Sequence, residues 1–339
     1  RWTLIAGSSL GADVILDPND LETTFAPGRN FANKLWNIGR FILAQLPERV
    51  STIDDLASGT LTLADRWILG QAHKTIVAAT EHLEAFRLDE AAKTCFEFAW
   101  NDLADWYVEA VKPRLAAAAG GATPVAAHAV LAFCFDTVLR LLHPVVPFIT
   151  EELWQKLPGR QSDDLLAIAP WPTVPAALSR LEDFAFARVQ EAVSKIRAIR
   201  AEYRVAPKIR LAAAIKPRTD SIRVAFLGER DTIVRLAQLS ELRLDDGLGG
   251  KGAHAVLADG SEVFVALADA IDVRQECRRL SGELTRLEQQ LAALDAKLGN
   301  KNFVARAPAE VVAKEREKER AWRDQRQALA DKLRSLGCS

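Results

Sequence analysis

Basic side chains outnumber acidic ones near the end of the chain. Between Asp272 and Arg334 there are 15 basic and 11 acidic residues, a net charge of +4 in a chain whose total is −1. Clustered ammonium and guanidinium groups are typical of surfaces that bind the phosphates of a polyanion. Solvated charges that pair with each other are the alternative for any single residue, so only the group supports this interpretation.

Histidine and cysteine residues, which often act in catalysis or bind metals, are present, but their spacing does not match a known catalytic or metal-binding motif. The five histidines are scattered, and no P-loop or H-E-x-x-H string occurs. The four cysteines are far apart in sequence, with no C-x-x-C pair. This spacing predicts neither a zinc site nor a disulfide framework, and suits a reducing compartment. The residues alone therefore indicate a binding module with no catalytic and no metal-binding residue.

Hydrophobic periodicity indicates which elements position these residues. Amphipathic stripes between Phe31 and Tyr203 predict about five helices, with the almost uniformly apolar Val130 to Leu142 in the middle of the bundle. After Pro207, short apolar segments and glycine-rich turns predict one helix, Ile222 to Leu239, on a small sheet. No uninterrupted apolar run reaches the roughly 18 residues of a membrane span, so a membrane partner is not predicted.

Two heptad runs, Val273 to Leu298 and Val312 to Leu336, predict that the chain ends in a helical hairpin. At about 1.5 Å per residue, the first helix would be roughly 40 Å long. The second run has charged residues at three seam positions, which favours folding back within one monomer over an open dimer. We therefore predict a mainly α fold with a connecting segment over 1–26, a helical bundle over 27–205, a small α+β junction domain over 206–270 and an antiparallel coiled-coil hairpin over 271–337.

Three separated strings resemble the anticodon-binding domain of class I aminoacyl-tRNA synthetases for branched aliphatic amino acids. They are GRNFANKLWN (28–37), WNDLADWYVE (100–109) and LHPVVPFITEELW (142–154). The turn NFVARAPAEVV (302–312) between the heptad runs resembles the C-terminal coiled-coil tRNA-binding arm of the valine-specific members.

The resemblance implies that tRNA is the partner, in particular tRNA(Val), and that the chain is a cytoplasmic monomer that binds neither DNA nor membranes. ATP and Mg²⁺ would bind only in a catalytic domain expected to precede Arg1, since the chain contains no methionine. We therefore expect no cofactor in this chain, and no activation of valine by it alone.

The resemblance also implies site residues. The bundle would present a groove to the unpaired bases of the anticodon loop, and basic residues of the arm would contact the phosphates of the tRNA elbow. The arm candidates for these phosphate contacts are Lys297, Lys301, Arg306, Lys314, Arg316, Lys318 and Arg320. Structural roles are the alternatives: core packing for the aromatic residue, a solvated helix start for the carboxylates, and helix capping for Arg29 and Asn33. The bundle candidates are Phe86 for base stacking, Glu151 and Glu152 for base amino groups, and Arg29, Asn33, Lys34 and Arg40 for phosphates.

Two other functions compete with this interpretation. The heptads could belong to an adaptor protein that pairs with another coiled coil and dimerises through the arm. The chain could also be the equivalent region of an isoleucyl- or leucyl-tRNA synthetase, which would prefer its own tRNA.

Overall fold

The computed structural model describes residues 1–7, 19–56, 61–117, 124–173, 184–245, 251–267, 270, 272–300 and 308–338. The chain forms two compact units, residues 1–187 and 188–339. The first is helical, and the second combines a small four-stranded sheet with helices. The predicted mainly α fold with a small α+β part is confirmed.

The first unit is a bundle whose helices pack around α6. Its helices are α1 (Trp2–Ala6), α2 (Leu21–Gln45), α3 (Leu63–Glu84), α4 (Leu88–Glu97), a π-helical segment (Phe98–Tyr107), α5 (Val108–Ala117), α6 (Val125–Leu142) and α7 (Pro147–Trp154). A 3₁₀ turn, Leu166–Ile168, follows α7. Helix α6 is long and apolar enough to cross a membrane, but two thirds of it is buried in the bundle. That burial is typical of a core helix and confirms its predicted central place.

Helix α3 is tied to the segment after the π-helix by a buried carboxylate. Asp65 is completely buried and closes a capping box with Thr62 at the start of α3. Its oxygens accept hydrogen bonds from Arg114 Nη1 at 2.8 Å and from the Tyr107 hydroxyl at 2.7 Å. The buried charge is therefore paired on two sides, as buried charges must be.

The second unit is built on a sheet in the order β2-β1-β4-β3. Strands β1 and β2 are parallel, whereas β4 is antiparallel to both β1 and β3. The parallel pair needs a crossover, which α9 and α10 provide. The elements are α8 (Phe184–Glu202, beginning in the first unit), β1 (Leu211–Lys216), α9 (Asp220–Gly228), α10 (Arg230–Leu236), β2 (Leu239–Arg243), β3 (Gly252–Val256) and β4 (Glu262–Ala266).

Two helices of 27 residues each, α11 (Val273–Gly299) and α12 (Ala309–Ser335), form the end of the chain, and we call them the arm. They run antiparallel, because Lys297 at the end of α11 bonds Glu315 near the start of α12, while Cys277 is bonded to Cys338 at the other end. Asp272 caps the first helix by accepting a hydrogen bond from the Gln275 amide. The predicted hairpin is present.

Two expectations differ from the structure. Helix α2 begins at Leu21 rather than near residue 28, because Asp20 caps it there and Pro27 is accommodated within the helix. The prediction of no disulfide is wrong, because folding the arm back brings Cys277 to Cys338 across 61 residues, with their Cα atoms 5.6 Å apart. Distance along the sequence was a poor guide to distance in a hairpin.

Candidate nucleic-acid interface

The exposed side of α2 is a polar stripe. Asn33 and Arg40 are exposed on it, together with Asn30 and Asn37, which the sequence interpretation did not select. These four positions recur at alternating spacings of three and four residues, so they lie on one side of the helix. That spacing, applied to polar instead of apolar residues, was the signal that could have found the two asparagines.

Two other candidates on α2 are engaged by neighbouring side chains. Lys34 donates to Asp105 at 2.6 Å and its Nζ lies 3.8 Å from the centre of the Trp100 ring. Arg29 forms an exposed ion pair with Glu22, 3.2 Å from nitrogen to oxygen. Arg29 therefore remains accessible, while the charge of Lys34 is largely satisfied within the bundle.

Phe86 lies at the corner between α3 and α4 with its ring 78% exposed. Its φ of +56° is in the left-handed region, where side chains other than glycine are uncommon. It occupies the position that glycine usually takes after a helix, because the amides of Phe86 and Arg87 bond back to the carbonyls of Leu83 and His82. The alternative of core packing is therefore wrong, and a strained backbone presents this ring to solvent.

The two glutamates of α7 differ. The Glu151 carboxylate accepts hydrogen bonds from the Leu166 amide at 3.0 and 3.1 Å and from the Gln155 side chain at 2.8 Å. Burial raises the pKa of Glu151, but these hydrogen bonds outweigh it and leave the pKa below its ordinary value. Glu152 is exposed and pairs only with Lys156 among the contacts of the described residues. Glu151 thus anchors the segment after α7, and Glu152 is the one turned to solvent.

A cleft of about 450 Å³ lies beside Arg29, and its wall includes Phe25 and Phe148. The Phe148 ring is 86% exposed, more than any other large hydrophobic side chain among the described residues. Phe148 follows Pro147, which begins α7, so its backbone is fixed by the helix start. Sequence interpretation missed Phe148, because an aromatic residue at the first turn of an apolar helix is usually part of the core.

The basic residues predicted to bind phosphates in the arm differ in whether their charge is already paired. Lys297 bonds Glu315 at 2.8 Å, and this hydrogen bond lowers the pKa of Glu315. Arg323, outside the selected set, bridges Asp295 and Glu319. Lys301 and Arg306 lie outside the described residues. The other four candidates lie exposed on α12 and are Lys314, Arg316, Lys318 and Arg320.

Periodicity places these exposed cations on both sides of the hairpin seam. Lys314 and Lys318 are one turn apart, and so are Arg316 and Arg320. The Lys318 ammonium lies 4.5 Å from the centre of the Trp322 ring, which orients it along the helix. The arrangement is suited to contacts with phosphates from two directions and contains no feature that would read a base.

Two short strings fit general enzyme motifs but lack their context. Gly7 to Gly11 fits G-x-S-x-G, which needs a preceding strand, whereas α1 precedes it. Gly247 to Gly252 fits G-x-G-x-x-G, which must open a helix, whereas strand β3 follows it. Within the described residues, no group of three or more metal-ligating side chains occurs.

Two family models match the chain, one over most of the bundle beyond α2 and one over the arm. The anticodon-binding domain of tRNA ligase matches residues 65–215. The valyl tRNA synthetase tRNA-binding arm matches residues 272–337, which comprise α11, α12 and the turn between them. The chain belongs to the valyl-tRNA synthetase family.

Relatives in the valyl-tRNA synthetase family align with nearly the whole chain. The valine--tRNA ligase of Geobacillus kaustophilus is 35% identical over 338 residues, 99% of this chain and 38% of that protein. The one of Carboxydothermus hydrogenoformans is 37% identical over 339 residues, 99% and 37% respectively. The chain thus spans about two fifths of the length of these relatives. A LeuRS–tRNA–LeuAMS complex of Agrobacterium radiobacter K84 is 23% identical over 54% of this chain and 20% of that one, with a TM-score of 0.39, too low to bear on function.

Proposed function

We propose that this chain binds tRNA, with tRNA(Val) preferred, and that it serves the tRNA recognition step of valylation in protein synthesis. The observation that carries the proposal is the match of an anticodon-binding domain and a valyl-type tRNA-binding arm within one chain. The exposed cations on α12 are suited to binding phosphates. The exposed Phe86 ring on the bundle is suited to stacking on a base.

The bundle would supply base recognition. Anticodon bases are unstacked, so they can stack on aromatic rings and use their edges for hydrogen bonds. Phe86 supplies an open ring, and Glu152 supplies a carboxylate that can accept from a base amino group. Asn33 and Arg40 provide donors to phosphates or bases along α2. In this proposal the role of Glu151 is structural, because it holds the segment after α7 in place.

The arm would supply affinity without sequence selection. Contacts between basic side chains and phosphates release counterions, which makes binding weaken as salt rises. The proposed ligand of Lys314, Arg316, Lys318 and Arg320 is the phosphate backbone at the tRNA elbow. Lys297 contributes less, because Glu315 already neutralises it.

ATP, Mg²⁺ and valine belong, on this proposal, to parts of the longer relatives that this chain does not match. We expect the chain alone to show no valine-dependent exchange of pyrophosphate into ATP. We also expect a monomer, since α12 already occupies the apolar side of α11. Cytoplasmic localisation and coiled-coil packing of the seam stay predictions.

The test is a binding titration of the chain against tRNA(Val), tRNA(Ile) and tRNA(Leu) at two salt concentrations. We expect tRNA(Val) to bind most tightly. Changing Lys314, Arg316, Lys318 and Arg320 together to Glu should lower affinity for all three tRNAs and reduce the salt slope by about one per lost phosphate contact. Changing Lys314 and Lys318 to Arg is the control, because it keeps charge and should keep the slope.

Two results would contradict the proposal. If the Glu variant had the same tRNA affinity and the same salt slope as the parent, the arm would not take part in tRNA binding. Concentration-dependent dimerisation in sedimentation, with no tRNA binding, would favour the adaptor function instead.

A further inference from the structure

The base of the arm is closed by a covalent bond. Cys277, in the second turn of α11, is joined to Cys338, three residues beyond the end of α12. At the opposite end of the hairpin, the end of α11 meets the start of α12, where Lys297 bonds Glu315. The two helices are therefore tethered at both ends, by the chain at one and by the disulfide at the other.

The end of α12 is shaped to present Cys338 to α11. Gly337 has a φ of +64°, and its amide bonds to the carbonyl of Arg334, while the Cys338 amide bonds to the carbonyl of Leu333. These two bonds form a Schellman motif, which turns the chain back across the helix end. Glycine is favoured there because its backbone adopts the left-handed conformation without the steric cost of a side chain.

Besides the disulfide, a narrow apolar seam and two ion pairs, Lys297 with Glu315 and Asp295 with Arg323, join the two helices. Helix α11 buries Leu280, Leu287, Leu291 and Leu294, but α12 buries only Val312 and Leu329 within its length. Just beyond it, Leu336 is fully buried. The charged seam positions Glu315 and Glu319 are engaged in ion pairs at the edge instead of apolar contacts. Near the end of α12, Lys332 also pairs with Glu202 of α8. With so narrow an apolar contact, the order of the last turns of α12 depends on these tethers, and the disulfide is the covalent one.

We propose that Cys277 and Cys338 form a reversible thiol–disulfide exchange site that clamps the base of the arm and sets the order of the last turns of α12. Through that order it tunes the affinity of the arm for tRNA, a consequence that rests on the proposed function. The oxidised form presents the arm in one conformation, and the reduced form must order it on binding, which weakens binding.

The exchange partner is a small-molecule disulfide of the glutathione class. The Cys338 thiolate attacks one sulfur of that disulfide, releasing one thiol and leaving a mixed disulfide on the protein. The Cys277 thiolate then attacks Sγ of Cys338 and releases the second thiol. The cysteine pair loses two electrons and two protons, and the small disulfide is reduced to two thiols.

The four cysteines of the chain differ in their access to solvent. Cys277 and Cys338 are half-buried, so small thiols can reach them. The other two cysteines, Cys95 and Cys134, are buried in the bundle, where burial raises the pKa of Cys95 to about 12 and that of Cys134 well above its ordinary value. Their thiols stay protonated and shielded, so they should not compete for the exchange.

The test uses the full chain equilibrated in oxidised or reduced glutathione, beside the variants Cys338→Ser and Cys277→Ser. A digest made without reductant should contain the Cys277–Cys338 cross-linked peptide in the oxidised sample. Reduction should speed hydrogen exchange of the amides of Leu333 to Leu336 by roughly tenfold. Both Ser variants should show the faster exchange in both buffers, which separates the bond from an effect of the reagent.

Absence of the cross-linked peptide, or equal exchange in the two buffers, would overturn the clamp. For tRNA, we expect the reduced chain to bind about threefold more weakly than the oxidised one. Equal affinities would overturn the tuning but leave the proposed function standing. A chain that binds no tRNA in either buffer would overturn the proposed function, and the peptide and exchange measurements would still decide whether the clamp exists.

Discussion

The bundle and the arm are both built from amphipathic helices, but they are held together in opposite ways. In the bundle, two thirds of α6 is buried against several other helices, and the charge of Asp65 is buried and paired. In the arm, α11 and α12 pack mainly on each other through one seam and carry ion pairs on their surfaces, and α12 also pairs with α8 through Lys332 and Glu202. The bundle is thus suited to hold single groups such as Phe86 in fixed positions, whereas the arm is suited to carry charge.

This difference predicts different sensitivities. A rigid recognition surface depends on core contacts far from the ligand, because small shifts of its supports move the recognising groups. A charged arm depends on the sum of its cations and on salt, and single replacements there have small effects. Matched changes in the two regions should therefore differ in their effect on stability.

The largest effect is expected from Asp65→Asn in the bundle. Removing this charge leaves Arg114 and Tyr107 without the carboxylate that pairs them, and breaking a buried pair typically costs about 3–5 kcal/mol. Because Arg114 is partly exposed, we expect the lower end, about 3 kcal/mol, in denaturant unfolding. The control in the arm is Asp331→Asn, whose exposed pair with Arg334 should cost less than about 1 kcal/mol. Equal costs at the two sites would contradict the comparison.

Next is the removal of one leucine from each region. Leu139 is fully buried in α6 and Leu291 is buried in the seam of α11. Truncation of a core leucine leaves a cavity whose cost depends on how well its surroundings can collapse. We expect Leu139→Ala to cost about 3 kcal/mol and Leu291→Ala about 2 kcal/mol, since the thin seam can close over the gap. Hydrogen exchange resolved by region should confine each effect to its own helices, and a larger cost for Leu291 would reverse the ranking.

These contrasts also explain what could be predicted from the sequence. Periodicity identified α6 as central and the arm as a hairpin, because each face of a helix is encoded by residues close together in sequence. It did not identify the breaks: the single helix predicted over Ile222 to Leu239 is interrupted at Glu229 and ends in strand β2. Breaks depend on contacts with the sheet, which local patterns do not contain.

The candidate sites follow the same division. Exposure of the α12 cations was predictable from heptad positions. The engagement of Glu151 by Leu166, the left-handed backbone of Phe86 and the Cys277–Cys338 bond were not, since each depends on which residue lies opposite in the folded chain. Residue type indicated chemistry, and only three-dimensional neighbours determined whether the group was available.

A pH dependence should separate the regions further. Burial, with the charge of Glu97 second, raises the pKa of Asp102 in the π-helical segment to about 7. Below pH about 4 the carboxyl is protonated in both the folded and unfolded states. Between about 4 and 7 the folded state keeps a proton that the unfolded state has lost, so the free energy of unfolding falls as pH rises and then levels off.

Asp102→Asn should remove this contribution and make the bundle more stable above pH 7 by about 1–3 kcal/mol. Unfolding of parent and variant from pH 4 to 8 measures the difference between the two profiles. Glu97→Gln is the control, because it removes only the smaller of the two causes that raise the pKa of Asp102. In that variant, the pH at which the free energy of unfolding levels off should be lower than in the parent. A variant profile parallel to that of the parent would show that Asp102 does not titrate in this range.

The smallest change in stability, and the one most specific to the bundle, is expected at Phe86. Phe86→Gly should raise the free energy of unfolding by about 0.5–1 kcal/mol, because glycine adopts the left-handed backbone without the steric cost of a side chain. On the proposed function the same change should weaken tRNA binding by about 1–3 kcal/mol through loss of stacking. Phe86→Ala removes the ring but keeps the strained backbone, so it should lose affinity without gaining stability, while Phe86→Tyr should keep both. A Gly variant that gained stability and kept full affinity would show that the strained ring is not the surface on which a base stacks.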